Sequence, residues 1–258
     1  MSQTVTRSLQ LLQAPGCPRL SVAHYQAPGR STALIVCPGF FKSKETPVFR
    51  RLSERLAQED DVVCLDFRGH GRSGGRYTFS AQEPCDLRAV LEWARPRYAR
   101  LGVVGFSLGA AIAITTLSRQ AANVRSLMTV SAPAAFDEIE FKWWMPEAIR
   151  RGIQGLEPGA GCRPGSPWLP KERPVEHIGK LAPMPILLVH GTNDVIVDVR
   201  HSWQLYAAAA EPKRLEIIEG GSHAEALFRD DPEGFCRLVR TWFARTLHPA
   251  LKGGVHSS

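Results

Sequence analysis

The stretch Gly105-Phe106-Ser107-Leu108-Gly109 decides how this sequence is interpreted. An apolar run at 101–104 precedes it and an Ala/Ile-rich run at 110–117 follows it, so the pattern predicts a strand, a sharp turn and a helix. The flanking glycines allow the tight turn and leave the Ser107 hydroxyl open, while the helix directs its first N–H groups to the same point. This arrangement suits a nucleophilic serine. A serine that only caps the helix is the alternative interpretation.

Two more loops with polar side chains follow predicted strands further along the chain. The apolar run Pro185-Ile186-Leu187-Leu188-Val189 predicts a buried strand of a parallel sheet, and His190-Gly191-Thr192-Asn193-Asp194 comes directly after it. The run Arg214-Leu215-Glu216-Ile217-Ile218 predicts another strand, and Gly220-Gly221-Ser222-His223 follows. The polar residues therefore occur in the order serine, acid, histidine.

These motifs, their order and the stretch Asp66-Phe67-Arg68-Gly69-His70-Gly71-Arg72-Ser73 resemble those of the α/β-hydrolase superfamily, from about Ala33 to Phe243. The resemblance implies an α/β fold, with a mostly parallel eight-stranded sheet and helices on both faces. It implies a serine hydrolase that needs no cofactor and no metal. It does not identify the substrate, because one fold hosts many chemistries.

The hydrophobic pattern independently predicts alternating strands and helices, which favours a mostly parallel sheet. Two alternating segments, 3–13 and 19–27, flank a Pro/Gly turn and predict an N-terminal antiparallel hairpin at the sheet edge. The other predicted strands are 33–37, 62–65, 101–106 and 124–130, and the predicted helices include 45–59 and 83–95.

The alternation stops between Ser131 and Pro183. Residues 135–153 are helix-like, and a Gly/Pro-rich stretch, 155–174, follows. By resemblance, this is where the superfamily inserts a lid. We therefore expect a single α/β-hydrolase domain over 1–258, with a small cap at about 134–180. The tail at 248–258 has no apolar pattern, so we expect it to be disordered.

Length and composition restrict the class of protein. At 258 residues the chain can bury the core of one large domain. It has no apolar stretch of membrane-spanning length and no apolar signal region near Met1, so we expect no integral membrane association. Its six cysteines show neither metal-ligand nor C-x-x-C spacing, and we expect a reducing, cytoplasmic location.

The formal net charge of +7 could indicate an acidic partner such as nucleic acid. The arginines are scattered, however, and the densest run, 95–100, is typical of a solvated helix end. A generally basic surface is the simpler interpretation, so we expect a small-molecule ester as substrate and no nucleic-acid partner. The sequence leaves the oligomeric state open, with a monomer or a homodimer possible.

Each residue of the predicted site has a chemical role and a rival interpretation. Ser107 is the predicted nucleophile, and His223 is the predicted general base and later the general acid. Asp194 is the predicted acid that orients the imidazole, since the H-G-x-x-D aspartate has this role in the superfamily. Asp198 is a rival on the same loop, but its position favours capping of a helix over 199–210.

The predicted oxyanion hole consists of two backbone N–H groups. Leu108 supplies one, as the residue after the nucleophile, and the resemblance places the other at Phe40, after the third strand. Many relatives carry His-Gly in that loop, whereas this chain has Pro38-Gly39 and so lacks a histidine that could brace it. His70 is expected to be structural, and His190 to pack or to form hydrogen bonds.

Four large side chains are candidates for the substrate pocket, with ordinary packing of the cap against the core as the alternative. They are Phe41, Trp143, Trp144 and Met145.

Among possible functions, the sequence favours a carboxylic ester hydrolase acting on short or medium acyl or aryl-acyl esters. The small aromatic cap resembles the lids of feruloyl-type esterases and of the monoacylglycerol-lipase-like group. A thioesterase or acyltransferase and a serine aminopeptidase are alternatives on the same site. A non-catalytic ligand-binding protein on this scaffold is a further alternative, although such proteins usually lose one residue of the triad.

Overall fold

The structure is a computed structural model that describes residues 4–121, 123–139 and 157–248. Its centre is one eight-stranded sheet with the strand order β1-β2-β4-β3-β5-β6-β7-β8. The strands are β1 (Thr6–Leu12), β2 (Leu20–Gln26), β3 (Thr32–Cys37), β4 (Asp61–Asp66), β5 (Arg100–Phe106), β6 (Val124–Val130), β7 (Ile186–Gly191) and β8 (Lys213–Ile218).

The sheet is antiparallel only at its N-terminal edge. Strand β2 pairs antiparallel with both β1 and β4, whereas every pair from β4 through β3 to β8 is parallel. The predicted hairpin and the predicted mostly parallel sheet are therefore confirmed. Because the last six strands in this order run in one direction, the loops that follow them meet at one edge of the sheet.

Helices cover both faces of the sheet, as predicted. The described α-helices are α1 (Pro47–Leu56), α2 (Glu83–Ala94), α3 (Leu108–Leu117), α4 (Arg200–Ala208), α5 (Ala226–Asp230) and α6 (Pro232–Thr246), with short 3₁₀ turns at Pro174–Glu176 and Ile178–Leu181.

Alternating residues of each strand supply two separate cores, because successive side chains of a strand point to opposite faces. In β3, Ile35 belongs to the core that α2, α3 and α4 cover. Its neighbours Leu34 and Val36 belong to the core that α1, α5 and α6 cover. Helix α3 is buried along its whole length, which explains why it is apolar all round.

The region after β6 departs in part from its prediction. Residues 135–139 form bends and turns, so the predicted helix does not begin at 135, and the rest of that prediction, 140–153, lies outside the described residues. Residues 157–173 contain no helix or strand, and part of this segment pairs with the region after β4 through isolated bridges, His70 with Cys162 and Tyr77 with Pro164. The expected cap boundaries and the expected tail remain predictions, since 249–258 also lie outside the described residues.

A disulfide between Cys17 and Cys85 is a further difference from the sequence analysis. The two cysteines are 68 residues apart, and the fold brings the β1–β2 turn against the start of α2. The sequence analysis expected a reducing compartment and therefore predicted no disulfide. The other four cysteines are free, and three of them are buried.

Within the described part of the chain, no helix is both long enough and apolar enough to cross a membrane.

Removal of the disulfide should lower stability, because the cross-link restricts the unfolded chain over 68 residues. We expect the Cys17→Ser, Cys85→Ser double variant to lose about 2–4 kcal/mol. For a chain of this length, that corresponds to a decrease in Tm of about 5–15 °C. Differential scanning calorimetry under oxidising conditions measures this loss. The control is Cys162→Ser, at a partly exposed free thiol. Equal Tm values for the double variant and the wild type would contradict the prediction.

Candidate active site

Ser107 lies at a strained turn between the central strand β5 and helix α3. Its φ of 50° and ψ of −120° are unusual for a residue other than glycine. Its N–H donates to Val130 O at 2.8 Å, which fixes the turn against the end of β6. Ser107 is therefore largely buried, with 8% of its surface exposed, at the carboxyl end of the sheet.

Two glycines, each two residues from Ser107 in the sequence, allow this turn to pack closely. A Cβ on Gly105 would lie 2.5 Å from Ala110 Cα, inside the first turn of α3. A Cβ on Gly109 would lie 2.3 Å from Cys37 O and 2.4 Å from Pro38 O. Side chains at these positions would separate the strand, the helix and the loop after β3.

The loop after β3, residues 37–44, passes directly beside the serine. A Cβ on Gly39 would lie 3.2 Å from Ser107 Cβ, so this glycine also permits a close approach. Lys42 N–H donates to Gly39 O at 3.3 Å and closes a turn in which Phe41 has φ 68°. Within the described part of the chain, neither Phe40 N–H nor Leu108 N–H donates to a protein acceptor. The two predicted N–H donors, one on the residue after Ser107 and one on the residue after Gly39, thus have no acceptor among the described residues.

A buried ion pair holds the far end of this loop. The Lys44 ammonium contacts the Asp66 carboxylate, and both side chains are fully buried. Asp66 also accepts the N–H groups of Lys44 at 2.8 Å and Arg72 at 2.9 Å. These bonds compensate for the desolvation of the charges. They also join the 37–44 loop to the 66–73 loop after β4.

Asp194 and His223 are hydrogen-bonded to each other across the loops that follow β7 and β8. His223 Nδ1 lies 2.7 Å from Asp194 Oδ2, and both side chains are almost fully buried. The other carboxylate oxygen, Oδ1, accepts the N–H groups of Ile196 and Val197, each at 3.0 Å. Asp194 is therefore fixed in an acceptor role toward the histidine.

The electrostatics of Asp194 keep it ionised. Burial alone would raise its pKa, but the charges of His223 and His190 and their hydrogen bonds lower the pKa well below its usual value. An ionised Asp194 accepts from Nδ1, so the proton of a neutral His223 lies on Nδ1 and the lone pair on Nε2. This tautomer can receive a proton from a hydroxyl group.

His190, in β7, and Asp198, on the loop after β7, form structural contacts. His190 is fully buried, with Nδ1 2.6 Å from Ser202 Oγ and Nε2 2.8 Å from Val197 O. Asp198 accepts Arg200 N–H at 3.0 Å at the start of α4. The contacts of His190 agree with its expected hydrogen-bonding role. Asp198 lies one residue before the helix N-cap, Val199, so it is not the N-cap residue that the sequence analysis expected, although it accepts the first N–H of the helix.

Ser131 is a positioning residue that the sequence analysis missed. It follows β6 with φ 51°, its N–H donates to Val189 O at 2.9 Å, and its Oγ accepts Ala224 N–H at 3.0 Å. Ala224 directly follows His223, so Ser131 ties the histidine loop to the end of the neighbouring strands. The available signal was its position immediately after a predicted central strand, as for Ser107.

A cavity of about 520 Å³ opens beside Leu108. Phe79, Phe136, Ile139 and Pro167 give it a largely apolar wall, and Asp137, Lys171, Glu172 and Arg173 complete its lining. Of the predicted pocket residues, Phe41 is 38% exposed and is not part of this lining. Trp143, Trp144 and Met145 lie outside the described residues.

Among the described residues, no cluster of three or more His, Cys, Asp or Glu side chains is placed to hold a metal ion.

Comparison with known proteins agrees with this fold. The model of the alpha/beta hydrolase family matches residues 34–238, and the chain therefore belongs to that family. The fold is similar to that of an esterase from Pyrococcus furiosus, with a TM-score of 0.75 and 22% identity over 94% of this chain and 91% of that one. A putative aryl esterase from Burkholderia cenocepacia gives 0.74 and 19% over 93% and 100%.

Some curated relatives are more similar in sequence than these solved structures. The uncharacterized protein YfhR of Escherichia coli is 28% identical over 171 residues, which are 64% of this chain and 54% of YfhR. The chain thus spans about half the length of the curated relatives it matches.

Ser131→Ala should displace the histidine loop, because it leaves the buried N–H of Ala224 without its acceptor. We expect a loss of about 1–3 kcal/mol in unfolding free energy. We also expect at least about a tenfold decrease in kcat on an activated ester. The matched control is Ser126→Ala in β6, the strand that Ser131 follows, because the buried Ser126 hydroxyl has no hydrogen-bond partner among the described residues and should be dispensable. Equal effects of the two substitutions on kcat would contradict the role of Ser131.

Proposed function

We propose that this member of the α/β hydrolase family is a serine hydrolase that cleaves carboxylic esters through Ser107, His223 and Asp194. The hydrogen bond between His223 Nδ1 and Asp194 Oδ2, 2.7 Å long and buried, carries the proposal. With the proton on Nδ1, the lone pair of His223 Nε2 can act as a base at the edge of the sheet where Ser107 lies. The strained Ser107 turn and the two N–H groups beside it support the same conclusion.

In this mechanism, His223 Nε2 takes the Ser107 hydroxyl proton while Oγ attacks the ester carbonyl carbon. The carbonyl oxygen becomes an oxyanion, which Phe40 N–H and Leu108 N–H stabilise. The ester C–O bond then breaks, and His223 returns the proton to the departing alkoxide. Water, deprotonated by the same nitrogen, hydrolyses the acyl-enzyme and restores Ser107. Asp194 remains ionised throughout and stabilises the imidazolium.

The cavity beside Leu108 supports a substrate with a short or medium acyl chain or an aryl-acyl group. Its volume of about 520 Å³ is within the usual size range of small-ligand pockets. The apolar wall formed by Phe79, Phe136 and Ile139 would remove such a group from water. The charged residues in its lining, two acidic and two basic, add no net charge that would favour an ionic acyl group.

A p-nitrophenyl ester series from acetate to palmitate tests both parts of the proposal. We expect the highest kcat/KM at short or medium chains. We expect Ser107→Ala to lower kcat by at least about 10³-fold, because it removes the nucleophile. Ser118→Ala, at the other end of α3, is the control and should retain activity. Turnover that persists in Ser107→Ala would refute the mechanism, while Ser107-dependent cleavage of thioesters or amides alone would change the substrate class.

Asp194→Asn and Asp198→Asn separate the two carboxylates of the β7 loop. We expect Asp194→Asn to lower kcat by about 10⁴-fold, since an amide can hold His223 in the wrong tautomer. Asp198→Asn retains an acceptor for Arg200 N–H, so kcat should stay within about twofold and stability should change by less than about 1 kcal/mol. A larger decrease in kcat for Asp198→Asn would reverse the assignment.

A further inference from the structure

His70 lies against the loop that carries Phe40, although it comes from the loop after β4. Its ring is buried, and Nε2 lies 3.1 Å from the N atom of Phe41. Nδ1 faces Arg68 O at 3.2 Å. A backbone N–H can only donate and a carbonyl can only accept. The ring is therefore neutral, with its proton on Nδ1 and its lone pair directed at Phe41 N–H.

Phe41 needs an external contact to keep its conformation. Its φ of 68° lies in the left-handed region, which is costly for a bulky residue. The bond from Lys42 N–H to Gly39 O makes Phe41 the third residue of a turn with positive φ there, as in a type II turn. In such a turn the Phe40–Phe41 peptide can flip to the type I form, in which Phe41 would have negative φ.

Both ends of Phe41 are held in the structure. Its N–H donates to His70, and its carbonyl accepts Gly161 N–H at 2.9 Å. The acceptor on His70 specifically opposes the flip, because the flip would turn Phe41 N–H away from the ring. The contact therefore fixes the peptide plane directly after Phe40.

His70 is itself held rigidly. Its ring meets the Tyr77 ring edge to face, with 4.5 Å between centroids, and its backbone forms a bridge with Cys162. Gly69 O accepts Arg163 N–H at 2.7 Å on the same side. A rigid histidine can position a flexible loop, whereas a mobile one could not.

We propose that His70 is a positioning residue for the oxyanion hole: by accepting Phe41 N–H it holds the 39–42 turn in the form that keeps Phe40 N–H beside the nucleophile. This role rests on the proposed ester hydrolysis at Ser107. It goes beyond a structural role in the 66–73 loop, because it acts on the neighbouring loop and on the transition state.

The surroundings of His70 keep the required neutral form over the physiological range. Burial and the positive charge of Arg163 lower the pKa of His70 to about 4, while the bond to Arg68 O opposes this shift. Tyr77, whose ring contacts that of His70, has a pKa that burial raises far above 10, and burial also raises the pKa of the thiol of Cys162, the residue whose backbone pairs with His70. Protonation of Nε2 would place an N–H against Phe41 N–H, so the contact should be lost only near pH 4.

Three variants test the proposal. His70→Leu removes the acceptor, and His70→Gln offers an amide oxygen near the position of Nε2. His24→Leu is the control for loss of a buried histidine, since His24 contacts Trp93 and Tyr98 instead. For each variant we would measure kcat and KM on p-nitrophenyl butyrate, and amide hydrogen exchange of the peptide that covers residues 39–44.

We expect His70→Leu to lower kcat by about 10–100-fold with KM within about twofold, since the oxyanion forms only in the transition state. Exchange in 39–44 should become at least about tenfold faster. His70→Gln should recover most of both losses, and His24→Leu should change neither, even if it lowers Tm.

Unchanged exchange in His70→Leu, or faster exchange with normal kcat, would overturn the positioning role. A wild-type protein without turnover would instead refute the proposed function, and the exchange data would still decide whether His70 holds the loop.

Discussion

The close approach of two backbone segments, the Ser107 turn and the loop after β3, is the constraint on which the site depends. Gly109 lies where any Cβ would overlap the carbonyls of Cys37 and Pro38, and Gly39 lies where a Cβ would press on Ser107. Both segments emerge from adjacent parallel strands, so the sheet brings them together and the glycines let them touch. The proposed oxyanion needs this separation, because it would accept N–H groups from both segments.

Buried carboxylates hold the remaining loops at this edge in a common way. Asp66 accepts two backbone N–H groups and the Lys44 ammonium, and Asp194 accepts two backbone N–H groups and an imidazole. In each case several donors use the lone pairs, so burial of the carboxylate is tolerated. One of these carboxylates orders the loop after β3. The other orders the loop that faces the histidine.

The sequence was sufficient to predict the sheet, its hairpin and the loops that carry Ser107, Asp194 and His223. Each of these features depends on local information, namely short apolar runs that end in glycine and polar residues. The contacts that the sequence did not predict join distant segments. The Cys17–Cys85 disulfide, the bond from Ala224 N–H to Ser131 and the cavity wall at Phe79 and Phe136 depend on how loops fold over the sheet edge. The hydrophobic periodicity of the sequence does not indicate such packing.

The Pro38-Gly39 dipeptide shows that the local sequence of a loop does not reveal which distant side chains hold it. The absence of a histidine there suggested a loop without an imidazole brace. The structure supplies an imidazole from His70, 29 residues further along the chain, through Phe41 N–H. Because the segment at 159–165 pairs with both the 66–73 loop and Phe41, the loop after β3 is connected to the region after β6. Phe41 makes this connection through its carbonyl, which accepts Gly161 N–H, and through its N–H, which donates to the His70 ring, so the region after β6 is linked to the residue next to Phe40.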